Sequence, residues 1–267
     1  QSEILAGNYS QAIANLLNAK KSDDSSTDIT LLLIEAYLKT EQFAKAKELT
    51  QRLVSAQPQN SYFQKQHGIA LGLSGDIKNA RSAFIQAVKL QPENSEAIIH
   101  LARMELIATG PEAAIALLQN KVELQPSNTQ LIIELADIYM KIGQNDDALT
   151  QYQKAFDFDN QNSFTLTKLV DYFFITKKYS RAEPILLAYL QKHPKDSNIK
   201  IKLGHLYGKL NKPLKAIDTF KSALNESPDR GKTYMLLAQA QLKIDDRDGA
   251  IKSLNKATAW DERRIEP

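Results

Sequence analysis

The chain lacks several features that would point to particular kinds of protein. It has no cysteine, which excludes disulfide bonds and cysteine-ligated metal sites. Its apolar runs fall well short of the roughly 18 residues that indicate a membrane-spanning helix. Its formal net charge is only +3 over 267 residues, which does not indicate nucleic-acid binding. These absences are typical of an ordinary folded protein. They leave its compartment open, because a cysteine-free chain suits the cytoplasm and the bacterial periplasm alike.

One residue type, alanine, recurs every 34 residues without interruption. The positions are Ala12, Ala46, Ala80, Ala114, Ala148, Ala182, Ala216 and Ala250. Proline keeps the same interval at Pro58, Pro92, Pro126, Pro194 and Pro228, with Asn160 in the one place where proline is missing. A fixed interval of this size indicates stacked repeats in which each unit contacts only its neighbours. The alanines divide a single array spanning 1–267 into a partial unit and seven full units, namely 1–26, 27–60, 61–94, 95–128, 129–162, 163–196, 197–230 and 231–264.

Each unit contains two helical patterns separated by a short polar break, because its apolar residues recur at three- and four-residue steps. Proline at the end of a unit cannot continue the preceding helix. The Asn or Asp two residues later can cap the next helix, and these residues are Asn60, Asn94, Asn128, Asn162 and Asp196. Pro184 lies deeper in its helix and predicts a kink or a late helix start. The sequence therefore predicts an all-α fold of antiparallel helix pairs.

A recurring set of residues resembles the tetratricopeptide repeat family. Leu203-Gly204, Tyr207, Ala216, Phe220, Ala223 and Pro228 reproduce the family pattern in order. The resemblance implies a right-handed superhelical solenoid whose first helices line a concave groove for partner peptides. Four departures are local: His67 stands at a normally apolar position, Glu105 and Gln241 replace the usual aromatic residue, and Lys121 replaces a small one.

The sequence offers little catalytic or metal-binding chemistry. The four histidines lack metal-ligand spacing. Asp245, Asp246 and Asp248 lack the alternation and the distal glutamate of a calcium loop, so we interpret them as turn residues. There is no glycine-rich phosphate loop and no nucleophile motif. We therefore expect a non-enzymatic protein without a cofactor or a metal.

Apolar residues at the groove-facing positions of the first helices suggest a binding surface, because contiguous exposed apolar surface often marks one. The region 168–232 is rich in positive charge, with 14 Lys or Arg against 6 Asp or Glu. Three of its lysines, Lys168, Lys202 and Lys209, are predicted to lie near the apolar groove residues. The alternative interpretation is that several of these apolar side chains pack against neighbouring repeats. The predicted groove residues are Leu31, Leu38, Tyr62, Ile69, Leu73, Ile99, Leu106, Ile133, Met140, Phe164, Phe174, Ile175, Lys168, Lys202 and Lys209.

The primary hypothesis is a protein-interaction scaffold that binds an apolar partner segment carrying acidic residues, without nucleic-acid binding or membrane insertion. The chain starts at Gln1 inside a repeat. We therefore expect a fragment of a larger protein with uncapped ends, which predicts end-to-end self-association. The Gln/Asn-rich repeats resemble long bacterial tetratricopeptide proteins of exopolysaccharide and PEP-CTERM export systems, which suggests an envelope role. The alternative is the targeting region of a larger enzyme such as a glycosyltransferase.

Overall fold

The computed structural model describes residues 7–22 and 26–265, and within these ranges it contains helices and no β-strand. The predicted all-α fold is confirmed. Parts of the expected partial unit, 1–6 and 23–25, lie outside the described residues. The helices are α1 (Tyr9–Ser22), α2 (Thr27–Lys39), α3 (Phe43–Ala56), α4 (Ser61–Leu73), α5 (Ile77–Leu90), α6 (Ser95–Ala108), α7 (Pro111–Leu124), α8 (Thr129–Lys141), α9 (Asn145–Phe158), α10 (Ser163–Ile175), α11 (Tyr179–Lys192), α12 (Ser197–Lys209), α13 (Pro213–Leu224), α14 (Arg230–Leu242) and α15 (Arg247–Ile265).

Contacts group the chain into two compact units that each contain several repeats. The first unit ends at Ala148 and the second begins at Leu149. In the first unit each helix from α1 to α8 packs against the next, and in the second the same holds from α10 to α15. We call the even-numbered helices α2 to α14 the first helices of their pairs and the odd-numbered helices α3 to α15 the second helices.

The periodic alanines lie in the buried contacts between helices. All eight are at most 2% exposed. A Cβ added to Gly72 on α4 would lie 3.7 Å from the Ala80 Cβ, and one added to Gly68 would lie 2.7 Å from the Phe84 ring. At Gly204 the corresponding distance to the Phe220 ring is 2.5 Å. Helix axes approach closely only when the side chains at the contact are small, so the 34-residue interval follows from this crossing.

The predicted helix caps are present at the unit boundaries. Asn60 accepts hydrogen bonds from the backbone N–H groups of Tyr62 and Phe63. Asn94, Asn128, Asn162 and Asp196 cap α6, α8, α10 and α12 in the same manner. Each cap satisfies a backbone donor that the first turn of a helix leaves without an intrahelical partner.

A left-handed residue ends the first helix of almost every pair, at the same 34-residue interval. Glycine occupies this position at Gly75 and Gly143. Elsewhere it is filled by Asn211 and Asp245, whose residue types tolerate positive φ, and by Glu41 and Lys177, whose types rarely adopt it, all with φ values of 56–60°. In the third pair Gly110 takes this role one residue later, with φ 109°. The left-handed residue reverses the chain into the second helix, and the Asp245 segment is therefore a turn.

Polar residues at family core positions find partners inside the protein. The His67 Nδ1 lies 2.9 Å from the Thr50 Oγ1, and both side chains are buried. Glu105 accepts hydrogen bonds from Arg81 and from the Thr109 hydroxyl. A buried polar group costs little free energy when it is hydrogen-bonded, so these departures from the family pattern leave the fold intact.

Gln241 replaces the last aromatic residue in a similar way. Its Nε2 donates to Asp246 and its Oε1 accepts from Ser253. Asp246 also caps α15 by accepting from the backbone N–H of Gly249. This network explains the acidic turn without a metal ion.

The expectation at Pro184 is corrected in part. Helix α11 begins at Tyr179 and continues past Pro184 to Lys192, so the helix does not start late. Pro184 is the sixth residue of α11, so its missing N–H group removes the hydrogen bond that a residue there would donate to the Ser180 carbonyl, and the helix continues without it.

Ion pairs join successive helix pairs, and equivalent positions carry opposite signs in the two units. Arg103 on α6 donates two hydrogen bonds to Glu134 on α8. In the second unit Asp171 on α10 pairs with Lys202 on α12, at the same 31-residue separation. The pair Lys47–Asp76 in the first unit has its reversed counterpart in Glu183–Lys212 in the second.

Candidate functional site

The first helices expose large apolar side chains at two recurring positions. In the last turn of the helix these are Leu73, Ile107 and Ile175, with exposed fractions of 51%, 62% and 68%. In the first turn they are the aromatic residues Tyr62 and Phe164, at 43% and 52%. The sequence analysis identified Leu73, Ile175, Tyr62 and Phe164, and Ile107 joins them at the same repeat position as Leu73 and Ile175. Their exposure is what a docking surface requires. We call these exposed faces the first-helix surface of each unit.

In the first unit this surface includes a cleft of about 580 Å³ between α2 and α4. Three predicted site residues, Leu31, Leu38 and Tyr62, line it together. Its other walls include the carboxylates Asp28 and Glu35 and the ammonium group of Lys39. The cleft therefore combines apolar walls with two carboxylates and one ammonium group, a property that the sequence analysis did not predict.

Several predicted groove residues contribute to packing as well as to this surface. Leu38 packs against the buried cluster of Leu33, Tyr37, Ala46 and Ala70. The side chains of Ile69, Ile99, Leu106 and Met140 are half-buried. Ile133 is only 4% exposed, so the expectation that it offers a contact to a partner is corrected. It fills the core because its helix, α8, is buried along most of its length.

In the second unit, two aromatic residues frame the surface of α10. The ammonium group of Lys168 lies 5.9 Å from the centre of the Phe164 ring, within the range of a cation–π contact. Phe174 is half-buried and packs edge-on against Tyr179, with ring centres 5.8 Å apart. Ile175 follows at the end of the helix and is the most exposed apolar side chain on it.

The predicted lysines differ in their availability to a partner. Lys202 is paired with Asp171, so its charge already stabilises the contact between α10 and α12. Lys209 is exposed and lines a second cleft, of about 390 Å³, between α12, α13 and α14. Lys243 lies on the same cleft. It stands 34 residues after Lys209, so the repeat interval could have identified it.

Three histidines have pKa values below their usual range. Burial lowers the pKa of His67, and the positive charge of Lys47 adds to the effect. Burial likewise lowers the pKa of His100, whose ring stacks on Phe84 at a centroid distance of 5.1 Å. Desolvation and the charges of neighbouring lysines lower the pKa of His205. Among the described residues no group of three or more His, Asp or Glu side chains could hold a metal ion.

These shifts predict a pH dependence of stability. Since the folded pKa of His67 is depressed below the unfolded value of about 6.5, the unfolded chain binds more protons below that pH. The free energy of unfolding should then fall as the pH drops from about 7 to 5.5, by at most about 1.4 kcal/mol per pH unit for each proton bound on unfolding. Urea denaturation at a series of pH values measures this slope.

A matched variant assigns the slope to its source. His67→Asn keeps a side-chain donor near the Thr50 hydroxyl but does not titrate, so its slope should be smaller than that of the wild type. Equal slopes in both proteins would show that His67 titrates normally in the fold.

No helix among the described residues combines the length and the hydropathy that crossing a bilayer requires.

Sequence comparison connects the chain to a known family. The family described as "Tetratricopeptide repeat" matches residues 3–66, 109–163 and 209–266, which is well over half of the chain. The Bos taurus protein described as "BBSome complex member BBS4" is 26% identical over 269 residues, covering 98% of this chain and 50% of that protein. The chain thus spans about half the length of this relative.

Solved structures share the fold. A tetratricopeptide repeat protein from Parabacteroides merdae aligns with a TM-score of 0.54 and 14% identity, covering 93% of each chain. MamA from Desulfovibrio magneticus RS-1 aligns with a TM-score of 0.51 and 18% identity, covering 65% of this chain and 97% of that one. The helix pairs, the periodic small residues at their crossings and the family match agree, and this chain belongs to the tetratricopeptide repeat family.

Proposed function

We propose that this protein is a non-enzymatic scaffold whose first-helix surface binds an extended or helical segment of a protein partner. The observation that carries the proposal is the exposure of Leu73, Ile107 and Ile175 at one repeat position, with Tyr62 and Phe164 at another. Apolar side chains that ordered helices expose to water lose little conformational entropy when a partner binds, because the helices are already ordered before binding. The bovine relative is described as a complex member, which supports a role in assembly.

Apolar burial supplies most of the affinity in this proposal, at about 25 cal/mol per Å² removed from water, before the cost of ordering the partner. Exposed lysines contribute little net energy and act mainly on the rate of encounter. The acidic residues that we propose for the partner then face Lys209, because Lys202 is already paired with Asp171. An envelope role and a role as the targeting region of an enzyme stay hypotheses.

Site-specific crosslinking identifies the partner. A photoreactive amino acid at Ile175 on α10, or at Leu214 on α13, tests two surfaces of the second unit with similar exposure, 68% and 64%. A partner of the first-helix surface crosslinks at Ile175 and not at Leu214. Equal crosslinking at both positions would indicate non-specific apolar contact and would contradict the proposal.

The purified partner then allows a quantitative prediction. Ile175→Ala should weaken binding about five- to thirtyfold, since truncating an apolar anchor in an interface commonly costs about 1–2 kcal/mol, and the loss should appear in the off-rate. Leu214→Ala, the matched control, should change the affinity less than twofold. Isothermal titration calorimetry and stopped-flow kinetics measure both, and wild-type affinity in Ile175→Ala would rule out this surface.

A further inference from the structure

Gly208, which has no side chain, lines the cleft between α12, α13 and α14. Gly208 stands at the repeat position that Leu38, Leu106, Met140 and Phe174 fill in other first helices. A Cβ added to Gly208 would meet no atom within 4 Å. Glycine weakens a helix relative to alanine, and here no close approach of helices requires it.

Gly204, one turn earlier, provides the contrast. Its missing side chain makes room for the Phe220 ring, which comes within 2.5 Å of where a Cβ would lie. Gly72, at the same repeat position as Gly208, has the Met104 side chain 3.7 Å from its Cβ direction. Packing requires the absence of a side chain at Gly204, a Cβ at Gly72 would make ordinary van der Waals contacts, and the space at Gly208 opens into the cleft.

The floor of the cleft is apolar and its rim is positive. Phe220 and Ala216 are buried below it, and Leu236 and Ala240 form one wall. The rim carries Lys209, Lys243 and His205 together with the amides of Asn211 and Gln239. No carboxylate is among the residues that line it. Neither Lys209 nor Lys243 has an ion-pair partner within 4.0 Å among the described residues.

The surrounding charges reinforce this asymmetry. Lys202, Lys232 and Lys209 all act on the His205 ring in the direction that disfavours its protonation. The first-unit cleft differs, because Asp28 and Glu35 line it. A ligand that suits the second-unit cleft must therefore bring negative charge together with an apolar group.

We propose that the vacancy at Gly208 accepts one apolar side chain of an acidic partner segment, whose flanking carboxylates contact Lys209 and Lys243. This proposal rests on the proposed scaffold function and names one subsite of it. A leucine-sized side chain inserts above the Phe220 ring, and its burial provides the specificity. The two ammonium groups fix the position of the acidic neighbours and exclude basic segments.

The direct test uses a synthetic heptapeptide, acetylated and amidated, with a central leucine and three acidic residues on each side. Binding to the 267-residue protein is followed by amide chemical shifts and by fluorescence anisotropy. Gly208→Leu fills the vacancy with the side chain found at the equivalent position of α2 and α6. It should weaken binding at least tenfold while the thermal stability of the protein stays unchanged or rises.

Charge variants and altered peptides test the other half of the proposal. Lys209→Ala with Lys243→Ala should weaken binding at least threefold and reduce its salt dependence. Lys221→Ala, at an exposed lysine away from the cleft, serves as the control and should bind as the wild type does.

A peptide with alanine in place of leucine should bind at least fivefold more weakly, and one with lysines in place of the acidic residues should not bind. The bound acidic peptide should also raise the pKa of His205, which NMR titration detects.

Three outcomes would overturn the proposal. Wild-type affinity in Gly208→Leu would exclude insertion at the vacancy. Equal binding of the leucine and alanine peptides would leave a simple anion-binding patch, and binding of the lysine peptide would exclude charge selection. If these results coincide with a loss of partner binding in Ile175→Ala, only the subsite is wrong. Wild-type partner binding in Ile175→Ala as well would contradict the scaffold surface itself.

Discussion

Replacing Phe84 with alanine should lower the free energy of unfolding by about 3–5 kcal/mol. The ring is 1% exposed and lies against Gly68 on α4 and the His100 ring on α6. It thereby joins three consecutive helices at a single point. Because each repeat is supported only by its neighbours, the loss should extend over α4 to α6, and hydrogen exchange should show faster opening of all three helices.

The neighbouring residue provides the control. Ile85 is on the same helix and is 36% exposed, so Ile85→Ala should cost less than about 1 kcal/mol, as expected for a partly exposed aliphatic side chain. Chemical denaturation followed by far-ultraviolet circular dichroism compares the two variants. Similar losses in both would mean that Phe84 does not fill the contact between the helices.

Replacing two glycines one turn apart on α12 with alanine should have different effects on stability. Gly204→Ala places a methyl group 2.5 Å from the Phe220 ring and should destabilise the protein by about 1–3 kcal/mol, because overpacking a core forces its neighbours to shift. Gly208→Ala meets no atom within 4 Å and should be neutral or stabilising by up to about 1 kcal/mol. Midpoints of urea denaturation measure both, and effects of the same sign would refute the assignment of the two glycines.

The fold was accessible from the sequence because its determinants are local and periodic. The alanine interval, the boundary prolines and the capping residues such as Asn60 and Asp196 act within one helix pair. The helix boundaries and helix contacts that these residues determine therefore recur every 34 residues, as the residues themselves do. The left-handed turn was harder to predict, since Glu41 and Lys177 occupy a position for which glycine or asparagine is the usual signal.

The candidate site was harder to predict from the sequence, because it depends on contacts between different repeats. Ile133 has the same repeat position as the half-buried Ile99 and yet is buried, a difference set by neighbouring helices. Lys202 has the pattern of a free cation, but Asp171, one repeat earlier, neutralises it. The cleft opens at Gly208, which has no side chain. Sequence analysis that looks for charged, reactive or apolar side chains does not detect such a site.

The opposite signs of equivalent ion pairs have a consequence for recombination between repeats. Deleting residues 129–196 would remove two whole periods and keep the apolar pattern in phase. The deletion would nevertheless bring Arg103 to the position facing Lys202, so that two like charges meet where each now has a carboxylate partner. Like charges across a packed interface are destabilising. Each unit is thus matched to its own neighbours, and the order of the repeats is part of what the sequence encodes.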